Sequence, residues 1–124
     1  MSTFPTNSFE SKAIANVSAT SGSPTTLITS SDIPLGGYAL VLSIIVANKS
    51  AGTRDINLRL NKQAGSNAMI LSNVAVPAKN SFEVMNGNKF VLNYQDSISA
   101  WVDSEGANNV DIVVSYVIYT PATA

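Results

Sequence analysis

An all-β fold, an antiparallel two-sheet sandwich of eight or nine short strands with an extended N-terminal arm, is predicted by three observations on the 124-residue sequence. No long stretch keeps an apolar 3.6-residue period, whereas several short ones alternate with period two. Turn residues separate these runs at the spacing of a sandwich or barrel. The chain holds no Cys, so its 45% hydrophobic residues must supply the core without disulfides or a Cys-based zinc site. One domain is expected for this size, residues 12–120, between an arm (1–11) and a tail (121–124). The topology is open between jelly-roll-like and immunoglobulin-like.

Met1 to Glu10 is polar with two lone aromatics, Phe4 and Phe9, and reads as an arm and not a strand. It has neither a basic start nor an apolar segment, so a secretory signal is not expected. A first strand is expected near 12–19, then a flexible Ser/Thr-rich loop over 18–26 and a second strand near 25–29. Pro34-Leu35-Gly36-Gly37 punctuates the entry to strand 38–48, whose two largely apolar faces predict a central position covered on both sides. At about half the length of a membrane-spanning helix, this longest apolar run does not predict a bilayer span. In 53–61, Ile56, Leu58 and Leu60 share one face, with Asp55, Asn57, Arg59 and Asn61 on the other. Strands near 67–74, 81–85 and 89–93 follow, with Asn86-Gly87 reading as a hairpin tip between the last two. The strand near 96–103 places Ile98, Ala100 and Val102 inward. The closing strand, 109–119, points Val110, Ile112, Val114, Tyr116 and Ile118 one way, and its other face, with Val113, Val117 and Tyr119, is too apolar for open water.

Chemistry is sparse. The chain has no His, hence no neutral-pH imidazole base, and its net charge of −1 comes without a clustered basic patch for phosphates, so nucleic acid is not an expected partner. Asp103, Glu105, Asn108, Asn109 and Asp111 around Gly106 offer oxygens of the kind calcium prefers, although the spacing is not that of an EF-hand and an ordinary strand connection uses the same residue types. Asp96 with Asp103 or Asp111 would be the only carboxylate pair for acid–base hydrolysis. Neither arrangement outweighs solvated strand ends, so no catalytic residue, metal, cofactor or small-molecule substrate is expected. Trp101 alternates outward beside Ser99, as an interface anchor or a ring covered by its own chain. Together with Val113, Val117 and Tyr119, and with Phe4 and Phe9 on the arm, it forms the expected interaction set, implying a homo-oligomer or attachment to other chains.

Ile33-Pro34-Leu35-Gly36-Gly37-Tyr38 continuing to Ala47-Asn48, then Val74-Ala75-Val76-Pro77-Ala78, Phe90-Val91-Leu92, Asp96-Ser97-Ile98 and Val110 to Tyr116, resembles small virion proteins of tailed bacteriophages. Their pattern is a strand ending in Ala-Asn, a Val-Pro-Ala turn, a Val-Leu strand, a Gly-Asp-Ser-Ile-like turn and a closing Val-rich strand. Gln95 stands where that turn usually carries Gly. The likeness covers residues 33–116 and brings no catalytic residue. It implies a virion structural protein assembled in the host cytoplasm, a capsid decoration or cement protein binding the major capsid protein, or alternatively a neck, tail, baseplate or fibre component. A carbohydrate-binding module is a more distant alternative.

Overall fold

The structure, a computed structural model, describes residues 4–17, 22–63, 65–103 and 109–122. Among them are nine strands: β1 (Thr6–Ile14), β2 (Thr25–Ile28), β3 (Tyr38–Asn48), β4 (Arg54–Asn61), β5 (Ala68–Val76), β6 (Ser81–Glu83), β7 (Phe90–Asn93), β8 (Ser97–Val102) and β9 (Val110–Thr120). Sheet A runs β1-β9-β3 and ends in β6 and β7, both paired to β3; sheet B runs β2-β8-β4-β5. All pairings are antiparallel.

The sandwich is thus as expected, and the topology selects the jelly roll. Apart from the β4–β5 hairpin and the β6–β7 step, every connection crosses from one sheet to the other. An immunoglobulin arrangement would keep the first two strands together, whereas β1 and β2 lie in different sheets.

The core forms where the alternations meet. Ala39, Val41, Ile44 and Val46 of β3 and Val110, Ile112, Val114 and Tyr116 of β9 face Ile56 and Leu58 of β4 and Ile98, Ala100 and Val102 of β8, all buried. A bulge at Leu42, between the pairs Val41↔Tyr116 and Ser43↔Ser115, restores the inward phase at Ile44. Buried side chains tie the sheets at each end. Asn48, 2% exposed, donates through Nδ2 to the carbonyls of Gly52 and Val76 at 2.9 Å each, and through Oδ1 accepts from the Ser50 N–H at 2.9 Å. At the other end Asp96 accepts the N–H groups of Gln63 (3.1 Å) and Asn93 (2.9 Å) and pairs with Lys62. Burial alone would raise the Asp96 pKa, but Lys62 and the two N–H donors outweigh it and hold the carboxyl below its ordinary value.

Three expectations need correction. The first strand is not 12–19: Thr6–Ile14 is a strand, paired to β9 from Thr6↔Thr120 to Ile14↔Ile112 without a register shift. It takes its order from the β9 backbone, and as an edge strand wet on both faces it carries no hydrophobic alternation to betray it. Asn86-Gly87 does adopt positive φ, 46° and 84°, yet it tips no hairpin. β6 and β7 both run antiparallel to β3, at Ile45–Ala47 and Tyr38–Val41, so the turn is a loop thrown out of one interrupted edge strand. β3 is central, but only its inner face is covered by its own chain.

Candidate functional site

The outer face of sheet A gathers several exposed apolar side chains of the described residues. Strand register aligns its side chains in rows across the sheet. Asn7, Tyr119, Tyr38 and Asn93 form the first, with the two tyrosine rings stacked at 5.0 Å between centroids. Phe9, Val117, Leu40 and Val91 form the second, an unbroken apolar ridge. Ser11, Ser115 and Ser43 form a shallow third row, and Ala13, Val113, Ile45 and Glu83 the fourth. Glu83 is the single formal charge in these rows, and its carboxylate turns back to accept the Met85 N–H at 3.2 Å.

Phe9 is 78% exposed, Val91 45%, Val113 41% and Ile45 40%. In an ordinary fold such side chains lie scattered over the surface; here register gathers them on one plane as a contiguous exposed apolar patch.

The outer face of sheet B is mostly polar, with Met69, 44% exposed, beside Arg59. Asn61 Nδ2 donates to Ser97 Oγ and Ser99 Oγ (3.2 and 3.1 Å), Arg59 Nε donates to Asn61 Oδ1 (2.7 Å), and Asn57 exchanges hydrogen bonds with Asn73. Trp101 belongs here, half-buried, with the Arg59 guanidinium 5.3 Å from its ring centroid. The six residues expected to interact therefore do not form one site. Phe9, Val113, Val117 and Tyr119 share the outer face of sheet A; Trp101 lies on the far side of the sandwich, covered in part by Arg59; and Phe4, 89% exposed, precedes β1. Four further members of the apolar face, Tyr38, Leu40, Ile45 and Val91, were hidden by the double-sided apolarity of β3 and the brevity of β7.

The carboxylates serve the framework. Asp103 Oδ2 accepts the Asp55 N–H at 2.7 Å, and Asp111 accepts the Asn16 N–H at 3.0 Å and pairs with Lys49 at 3.0 Å. Glu105 and Asn108 lie outside the described residues. Asp96 and Asp103 bracket the six residues of β8, placing them roughly 20 Å apart at the rise of a strand, beyond the roughly 10 Å limit for a hydrolytic pair. One open polar cleft of about 440 Å³ lies between β1 and the 3₁₀ turn Ser30–Asp32, lined by Ser8, Glu10, Lys12, Asp32 and Tyr116. Its ions are spent internally: Lys12 pairs with Asp32, and Ser8 Oγ donates to Glu10 at 2.6 Å.

No protein-family model and no curated protein sequence matches the chain. Among solved structures, a protein of the Bacillus endospore appendages, described as a novel family of disulfide-linked pili, superposes with TM-score 0.54 at 11% identity, covering 94% of this chain and 90% of that one. An infectious bursal disease virus (Gt strain) chain superposes at TM-score 0.39 and 10% identity over 93% of this chain, which spans 32% of it. A chain of the virus-like particle of the prawn Macrobrachium rosenbergii extra small virus gives 0.31 and 12%, covering 91% of this chain and 78% of that one. The appendage protein and this chain share the β-sandwich fold; the two viral overlaps are too loose to bear on it.

Proposed function

We propose that this chain is a non-enzymatic structural protein of a bacteriophage virion, a capsid decoration or cement protein that binds the head lattice and reinforces it. Its partners are the major capsid protein and further copies of itself, and its location is the particle, assembled in the host cytoplasm. The observation that carries this reading is the contrast between the two outer faces: sheet B is mostly hydrogen-bonded polar side chains, whereas sheet A leaves a largely apolar plane, with Glu83 as the one formal charge in its four rows, that water does not favour. The lysines Lys12, Lys49 and Lys62 pair within the fold with Asp32, Asp111 and Asp96, which supports surface rather than reactive chemistry as what the molecule offers. Reinforcement follows from repetition, because many modest contacts to a lattice add through multivalency.

The phage-like sequence pattern of residues 33–116 supports the same reading, and its motifs have framework roles: Asn48 closes the Ala-Asn strand, and Asp96 anchors the turn into β8. A neck, tail, baseplate or fibre role is the second reading, favoured by the fold shared with a pilus protein. Any filament of this chain would be held without disulfides, since it has no Cys. A carbohydrate-binding module has thinner support, because Trp101 stands alone on sheet B beneath Arg59.

Quantitative gel staining of purified particles tests the proposal. A decoration protein is expected in hundreds of copies, whereas a ring or adaptor would number about a dozen or fewer. Absence from particles would overturn the virion reading, and selective retention on a glycan array would favour the module.

A further inference from the structure

We infer that the outer face of sheet A is a contact between two copies of this chain, packed sheet A against sheet A about a two-fold axis. The inference rests on the structural-subunit reading above and names the occupant of its apolar face. Charge selects that occupant. A partner surface carrying Lys, Arg, Asp or Glu would have to desolvate them against Phe9, Val117, Leu40 and Val113, which offer no counter-charge. Two other surfaces of a second copy are of that unsuitable kind. Sheet B presents Arg59, Asn61 and Ser97, and the cleft beside β1 presents Glu10, Lys12 and Asp32. Sheet A itself brings a single carboxylate to sheet A, Glu83 at the β6 end of the fourth row, already accepting the Met85 N–H, and a patch that fits itself makes an isologous, closed pair.

Relief agrees with this. The Phe9–Val117–Leu40–Val91 ridge borders the serine row of Ser11, Ser115 and Ser43, a furrow of small side chains. A two-fold axis between the two rows sets the ridge of each copy into the furrow of the other, as facing sheets interdigitate in a sandwich. Four strands about 4.8 Å apart, over four rows about 7 Å apart, give a plane of roughly 400 Å² before side-chain relief is counted. The roughly 800 Å² that two such planes bury together lies below the roughly 1,000 Å² of a standard specific interface, so the contact is a weak, reversible one and not an obligate dimer. Phe4 and the outer face of sheet B are left free to meet a lattice.

The absence of Cys makes the test clean. Ser115→Cys, next to the axis, is expected to give a homodimer linked by a short bis-maleimide, whose span bridges sheets packed about 10 Å apart where a direct disulfide cannot, while Thr26→Cys on the exposed outer face of sheet B is not. The wild type is expected to sediment at tens of micromolar as twice its 13.0 kDa, and Val117→Asp as a monomer with an unchanged melting profile. If Val117→Asp unfolds, the cross-linking contrast decides alone. A monomeric wild type together with no Ser115→Cys dimer would overturn the inference, as would a monomeric wild type that binds capsid particles and loses binding on Val117→Asp, which would give the face to the capsid protein. Dimers of a protein absent from particles would leave this inference standing and remove the virion reading; monomers found in particles would do the reverse.

Discussion

Gln95 shows how one side chain can depart from a pattern and pay for it in backbone strain. The turn Asn93 to Asp96, closed by Asp96 N–H to Asn93 O at 3.0 Å, requires φ of 69° at its third residue, the left-handed region that glycine enters without steric cost. The glycine usual in the phage-like motif has a structural reason here, and Gln95→Gly is expected to stabilise the fold by about 0.5–1 kcal/mol in chemical denaturation. Asn48 is the reverse case, a buried polar residue with no fault. Asn48→Ala would remove the Asn48 partner of the buried Val76 carbonyl and Ser50 N–H, although Gly52 O keeps the Ser50 hydroxyl, at a cost of about 2–4 kcal/mol, read as a lower urea midpoint. Asn48 was legible in the sequence only as the last letter of a motif, because the Val76 and Pro77 carbonyls, distant in the chain, reach its side chain only once the sheets are closed.

β1 separates what strand periodicity can reveal from what it cannot. Strands β3, β4, β8 and β9 announce themselves because each buries at least one face, and their inward residues follow from alternation alone. β1 buries almost nothing and is ordered by main-chain pairing and by Lys12 reaching Asp32, which leaves no signature in a hydrophobic pattern. The apolar side chains of its neighbours were legible, but their meaning was not: an apolar outer face reads the same whether its cover is another sheet or another molecule. Register then brings Phe9 beside Val117. Phe9→Ser, at a site 78% exposed, is expected to change stability by no more than about 0.5 kcal/mol while weakening self-association in sedimentation. Deleting residues 1–10 removes Thr6 to Glu10 from the β1–β9 ladder as well, and is expected to lower the melting temperature too. The pair of variants separates the contact from the strand that carries it.

Across the whole molecule, titration is confined to the extremes of pH. With no His, nothing in the side-chain set has an ordinary pKa between pH 5 and 8, and thermal stability is expected to be flat there. Asp32, Asp96 and Asp111 are each desolvated by burial, yet their hydrogen bonds and the lysines Lys12, Lys62 and Lys49 bring them below the ordinary carboxylate value. A folded pKa below the unfolded one means that their stabilisation is complete above the unfolded value and is lost as pH falls through the folded one. A scan of melting temperature should therefore fall below about pH 4. Burial raises the Tyr116 pKa, adding a contribution that is complete below about pH 10 and lost as pH rises through the folded value. Between these limits the association proposed above would depend on the shape of the molecule and its two unlike faces. The most direct measurement of that asymmetry is a cryo-electron microscopy reconstruction of particles carrying the protein, at a resolution that places side chains. Protein density closing over Phe9, Leu40, Val113 and Val117 is expected; an outer face of sheet A open to solvent in the assembled particle would contradict the account.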